Sequence, residues 1–61
     1  MVAYKLKIDL PVLIKGAIYH FDMETGFVYR KEVSLTTPLR QGLAGYLWLL
    51  IGDKRYMKLI K

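Results

Sequence analysis

Residues 37–52, TPLRQGLAGYLWLLIG, are the most apolar stretch of the chain and contain its single tryptophan, Trp48. Thr37 is a suitable N-cap because its hydroxyl accepts hydrogen bonds from early backbone N–H groups, and Pro38 fits the first helical position, which needs no backbone donor. Gly52 fits the left-handed position that often follows the last turn of a helix. The stretch therefore predicts one helix.

On a helical wheel this predicted helix has two faces. The apolar side chains that gather on the side expected to cover a sheet are Leu39, Leu43, Tyr46, Leu47 and Leu50. The residues grouped with Trp48 on the outward side are Gln41, Ala44 and Gly45. Large aromatic side chains dominate binding energy and small neighbours permit close approach, so we predict that this outward side binds a protein partner or a second copy of the chain. The alternative is that Trp48 covers a loop.

A second hairpin is the alternative structure for the same region. Residues 46–51 and 55–60 would then be strands around a type II′ turn that begins at Gly52. Gly42 and Gly45 also disfavour a helix, by ~1 kcal/mol each relative to alanine. The capping residues and the lack of strict alternation favour the helix, which leaves residues 55–60 as a last strand.

The beginning of the chain predicts a half-buried strand over residues 2–10. Apolar side chains occupy the even positions, while Lys5, Lys7 and Asp9 lie on the other side. Pro11 cannot donate a hydrogen bond to a sheet, so it ends this strand or marks a sheet edge.

A hairpin follows. Residues 12–21 and 27–35 are rich in β-branched and aromatic side chains, and the polar segment DMETG, residues 22–26, lies between them. Gly26 can take the positive φ that such loops often require. The composition therefore predicts two antiparallel strands joined by a short loop.

The register of this hairpin depends on the length of its loop. A loop of five residues pairs Phe21 with Phe27 and Tyr19 with Tyr29, which makes one face an aromatic ladder. A loop of four residues pairs Phe21 with Val28 and breaks the ladder, because a slip of one residue sends one strand's side chains to the opposite face. We predict the first register.

Together these elements predict a single compact α+β domain over residues 1–61, with a small antiparallel sheet of three to four strands and one helix packed on it. The alternative is a small all-β barrel, SH3-like or OB-like. A chain this short buries only ~60% of the surface that its unfolded form exposes. Because 54% of the residues are hydrophobic, against ~45–50% in an average domain, some apolar surface is expected to be shared with a second chain.

No catalytic or metal centre is predicted. His20, Asp22 and Glu24 alternate along the chain, but three loosely spaced ligands do not make a convincing metal site. Ser34, the only serine, lies at the far end of its strand from His20, and the glycines of residues 42–45 lack the following Lys-Ser or Lys-Thr of a phosphate loop. The absence of cysteine excludes disulfides and thiolate zinc sites. We therefore predict a protein that is not an enzyme and has no cofactor.

The net charge of +5 favours encounters with nucleic acid, anionic lipid or an acidic protein. The cations predicted to contact nucleic acid are Lys5, Lys7, Lys15, Arg30, Lys31, Lys54, Arg55 and Lys58, and Lys61 extends a basic edge that forms if the first and last strands are neighbours. The hairpin aromatics provide a stacking surface for bases in this hypothesis. The alternatives are that the lysines protect sheet edges and that the aromatics form the core.

The predicted function is thus that of a small basic, non-catalytic binding protein with a regulatory or accessory role, which docks or self-associates through the surface centred on Trp48. Nucleic-acid binding is the alternative function. Residues 1–7 lack the unbroken apolar core of a secretion signal, and the longest uncharged run, residues 41–52, is shorter than the ~20 residues of a membrane span. We therefore expect a cytoplasmic protein, either of a cell or of a virus replicating in one.

Overall fold

The computed structural model describes residues 1–60, so Lys61 and its predicted role lie outside the described residues. The elements in chain order are β1 (Val2–Leu6), β2 (Ile18–Phe21), β3 (Val28–Arg30), α1 (Gln41–Leu50) and β4 (Met57–Ile60). The strands form one antiparallel sheet in the order β3-β2-β1-β4. The predicted α+β class is confirmed. The two alternatives are wrong, since the sheet is not closed into a barrel and a helix occupies the region of the second hairpin.

β1 is shorter than predicted because the chain leaves the sheet after Leu6. The Oδ1 atom of Asp9 accepts a hydrogen bond of 2.8 Å from the backbone N–H of Lys15, which closes a loop over residues 9–15. Within it, Leu10 and Leu13 exchange two backbone hydrogen bonds around the turn at Pro11. These local bonds take the place of the extended strands predicted over residues 7–10 and 12–15, whereas Gly16 and Ala17 still form backbone hydrogen bonds with Leu6.

The β2–β3 hairpin has the register that we did not predict. Phe21 lies opposite Val28, and His20 lies opposite Tyr29. The side chain of Asp22 sets this register, because its Oδ1 accepts hydrogen bonds from the backbone N–H groups of the next turn. Gly26 then takes a φ of 80° and donates to the Asp22 carbonyl oxygen at 2.8 Å. The loop is therefore four residues long, and the predicted aromatic ladder is divided between the two faces of the sheet.

α1 begins at Gln41, later than predicted, and Thr37 does not cap it. The backbone N–H of Leu39 donates to the carbonyl oxygen of Val28 at 2.7 Å, which keeps the preceding segment extended along the edge of β3. Arg40 is the N-cap residue, and no side chain accepts from the first turn. Gly52 is not left-handed, because Gly26 and Gly16 are the glycines with positive φ within residues 1–60.

The helix is also rotated by roughly a sixth of a turn from the predicted orientation. Ala44, Leu47 and Leu50 are buried against the sheet, whereas Tyr46 is exposed. The buried core consists of Leu6, Leu13, Ala17, Tyr19, Phe21, Val28, Ala44, Leu47, Leu50 and Met57. Helical structure within residues 1–60 lacks the length and apolar character that crossing a membrane requires.

Candidate nucleic-acid interface

The sheet has a second face, opposite α1, which we call the outer face. Side chains alternate along each strand, so the residues next to core positions belong to this face. One row across the four strands consists of Tyr29, His20, Ala3 and Ile60. The adjacent row contains Ile18, Lys5 and Lys58, and Lys31 extends it because its backbone N–H donates to the Ile18 carbonyl oxygen. The outer face thus places an aromatic row beside a cationic row.

At one end of the outer face, four lysines line a groove of about 470 Å³. These residues are Lys5, Lys7, Lys15 and Lys58, and we call this site the lysine groove. They come from three segments, β1 with its continuation, the loop before β2, and β4. All four are exposed, and none forms an ion pair within the described part of the chain. Nζ of Lys7 is oriented by a hydrogen bond of 2.8 Å to the Lys54 carbonyl oxygen.

The two arginines predicted to contact nucleic acid are instead engaged by carboxylates. Arg55 pairs with Asp53 at 2.8 Å, and these contacts raise the pKa of Arg55 and lower that of Asp53. Arg30 lies opposite Tyr19 on the helix side of the sheet and pairs with Glu32 at 3.2 Å. The structure therefore brings four of the eight predicted cations into one groove and pairs both arginines with carboxylates. Lys31 extends the cationic row of the outer face, and the backbone of Lys54 contacts Lys7.

The aromatic side chains are divided by the register of the hairpin. Tyr19 and Phe21 are in the core, where burial raises the pKa of the Tyr19 hydroxyl. Tyr29 and His20 are half-buried neighbours on the outer face. Nε2 of His20 is buried and has no hydrogen-bond partner among the described residues. The predicted register pairs Tyr29 with Tyr19, so it does not bring His20 and Tyr29 together.

The predicted partner surface is partly internal. Trp48 is half-buried rather than outward, because its indole N–H donates to the Gly26 carbonyl oxygen at 2.8 Å. Its ring also makes a T-shaped contact with the ring of Phe21, with 5.1 Å between the ring centroids. Ala44 is buried, while Gln41 and Gly45 are exposed. The prediction that Trp48 and Ala44 face outward is therefore wrong. Burying the indole against the hairpin removes more apolar surface from water than burying Tyr46 in its place.

All four residues nevertheless line one groove, of about 450 Å³, between α1 and the hairpin loop. We call it the Trp48 groove. Phe27, which is 43% exposed, lies on its rim. Arg40 is the charged residue of its lining.

The residues considered for metal binding do not converge. Within residues 1–60, no three histidine or acidic side chains are placed to hold a metal ion. Asp22 instead holds the hairpin loop, and its hydrogen bonds from the backbone of Glu24 and Thr25 lower its pKa. Ser34 donates to or accepts from the hydroxyl of Thr36 at 2.9 Å, a contact that belongs to a turn.

Comparison of the chain with protein-family models, with curated proteins and with solved structures found no match. The arrangement of its own side chains is therefore what supports a function.

Proposed function

We propose that this protein binds nucleic acid through the lysine groove. The observation that carries the proposal is the convergence of Lys5, Lys7, Lys15 and Lys58 on one groove. Lysines this close together repel one another, and a polyanion replaces the repulsion with attraction and releases its own counterions. The net charge of +5 acts in the same direction at longer range.

Edge protection does not account for this cluster. Lysines that guard a sheet against aggregation belong on edge strands. Lys58 is on β4, which is an edge strand, but Lys5 is on β1, which pairs with β2 on one side and β4 on the other. A lysine on a central strand contributes to the surface of the sheet rather than to the protection of its edge.

The test is the salt dependence of binding to a labelled oligonucleotide, followed by fluorescence anisotropy from ~50 to ~300 mM salt. Four phosphate contacts give a slope of log K against log salt of about −3 to −4. The double variant Lys5→Gln and Lys58→Gln is expected to reduce that slope by about 1.5 to 2. Arg40→Gln with Arg30→Gln removes the same charge outside the lysine groove, because Arg40 lines the Trp48 groove and Arg30 lies on the helix side of the sheet, and it is expected to change the slope less.

Two results would contradict the proposal. One is the absence of binding at ~50 mM salt. The other is an equal loss for the two double variants, which would mean that net charge alone attracts the oligonucleotide. Vesicles of anionic lipid serve as the comparison ligand, and preference for them over every oligonucleotide would replace nucleic acid by a membrane surface as the partner.

A second candidate function is self-association through the Trp48 groove. The observation that favours it is that Gln41, Ala44, Gly45 and Trp48 line one groove with an exposed Phe27 on its rim. In a two-fold dimer each copy can place its Phe27 in the groove of the other, so that one surface patch serves both subunits.

Gly45→Glu tests self-association without disturbing the core, because no atom lies within 4 Å of the added Cβ position. The new carboxylate fills the groove and opposes burial of an apolar side chain. Light scattering of the parent protein is expected to show a dimer, and of the variant a monomer. A parent protein that is monomeric at high concentration would remove this candidate.

A further inference from the structure

We infer that the nucleic acid is single-stranded and that its bases stack on Tyr29 and His20. This inference rests on the proposed function, since it assigns the bases to the outer face that leads out of the lysine groove. Tyr29 and His20 are directly opposite each other on adjacent strands. Both residues are half-buried, and the Nε2 atom of His20 is itself buried beside its neighbours, so both side chains are held in place on this face.

The spacing of the two rows on the outer face fits a nucleotide chain. The aromatic row and the row containing Lys5 and Lys58 are two residues apart along β1 and β2. At ~3.3 Å per residue this separation is ~7 Å, which is similar to the distance between a base and its own phosphate. A single-stranded nucleic acid laid across the sheet can thus place its bases on one row and its phosphates along the other.

A duplex does not satisfy this arrangement. Its base pairs are stacked on one another, so their ring faces are closed to Tyr29 except at the ends. The usual alternative, a helix in the major groove, requires cations on that helix to contact phosphates. α1, with the sequence QGLAGYLWLL, has none. The cationic and aromatic side chains that a nucleic acid needs are together on the sheet.

Three labelled probes of equal length test the inference: a mixed-sequence single strand, the same sequence as a duplex, and a single strand of abasic sites. The abasic strand keeps the phosphates and lacks the rings. We expect the single strand to bind about tenfold or more tightly than either of the others. Tyr29→Leu is expected to lower its affinity by about tenfold and to leave the salt slope unchanged, whereas Tyr29→Phe keeps the affinity.

The matched control is Tyr46→Leu, which makes the same change on an exposed tyrosine of α1. Circular dichroism checks that each variant is folded. If the duplex or the abasic strand binds as tightly as the single strand, or if Tyr29→Leu has no effect while the lysine variants still weaken binding, the inference is overturned and the proposed function stands. If no probe binds, both are overturned.

Discussion

The indole N–H of Trp48 donates a 2.8 Å hydrogen bond to the carbonyl oxygen of Gly26, which ties α1 to the loop of the β2–β3 hairpin. These residues are far apart in sequence, and the ring of Trp48 packs on Phe21 beside the bond. The contact fixes both the rotation of the helix and the position of the loop.

Trp48→Phe removes this hydrogen bond and keeps an aromatic ring against Phe21. A typical net contribution is about 1 kcal/mol, which in a domain of this size lowers the melting temperature by about 4–8 °C. Thermal and urea unfolding followed by far-UV circular dichroism measure the change without the tryptophan signal. An unchanged midpoint would show that water replaces the indole N–H as donor to the Gly26 carbonyl oxygen at no cost.

Leu47 and Leu49 test the orientation of α1. Leu47 is 0% exposed and Leu49 is 80% exposed. Leu47→Ala leaves a cavity in the core, and we expect the free energy of unfolding to fall by about 2–5 kcal/mol, which is enough to unfold much of so small a domain. Leu49→Ala should change it by less than about 0.5 kcal/mol. Urea denaturation of both variants compares them, and similar losses would contradict the observed orientation.

Replacing a glycine by alanine is expected to have opposite effects on stability at Gly45 and at Gly26. Gly45 is inside α1 with open space at its Cβ position, so Gly45→Ala should stabilise the protein by up to about 1 kcal/mol. Gly26 has a φ of 80°, so Gly26→Ala should destabilise it by about 1–2 kcal/mol. The urea midpoints of the two variants should lie on either side of the parent's midpoint. Two shifts of the same sign would refute the assigned backbone conformations.

Asp22 makes the stability sensitive to acid. Hydrogen bonds from the backbone N–H groups of Glu24 and Thr25 hold its folded pKa below the unfolded value, so the folded state gains stability when the carboxylate is charged. That stability is present above the unfolded pKa of about 3.9 and is lost as the pH falls from there through the lower folded pKa. The pKa of Asp53 is also lowered, mainly by its side-chain hydrogen bond with Arg55, so Asp53 adds to the loss of stability in acid.

Asp22→Asn keeps an acceptor oxygen and removes the titration. Its urea midpoint should therefore fall less steeply than the parent's across the same pH range. The control is Glu24→Gln, which removes a charge from the same loop. A slope for Asp22→Asn equal to that of the parent would exclude Asp22 as the source of the acid sensitivity.

The elements of the fold are predictable because their signals are local. The alternation that begins at Val2 and the uncharged apolar run after Arg40 identify a strand and a helix without knowledge of what they contact. The hairpin register was also encoded locally. Aspartate is a residue type that favours tight turns, as Asp22 does here, and Gly26 four positions later supplies the left-handed conformation. The possible aromatic pairs favour the other register, but this turn determines the observed one.

The limits of the helix and its rotation depend on contacts between distant residues. Leu39 extends the chain before α1 by donating to Val28, and Trp48 turns inward to reach Gly26. Neither partner is visible from the sequence around the helix. Capping and periodicity therefore placed α1 correctly and predicted the burial of Leu47 and Leu50, but they began the helix too early and put Tyr46 instead of Ala44 on the buried side.

The candidate site shows the same division. Alternation in β1 placed Lys5 and Lys7 on one face, and the condition that brings Lys58 beside them, pairing of the first and last strands, is met. The sequence does not show that Arg30 and Arg55, unlike the lysines, form ion pairs. Those pairs depend on which carboxylates the turns bring near each guanidinium group.

The central position of β1 has a consequence for the order of folding. The β2–β3 hairpin joins residues that are close in sequence and can form in ~1–10 μs, whereas pairing of Leu6 with Met57 must close nearly the whole chain into a loop. We expect β4 to join the sheet last. Because Lys58 arrives with β4, the lysine groove exists only in molecules that have finished folding, and a partly folded chain presents its positive charge without a site to direct it.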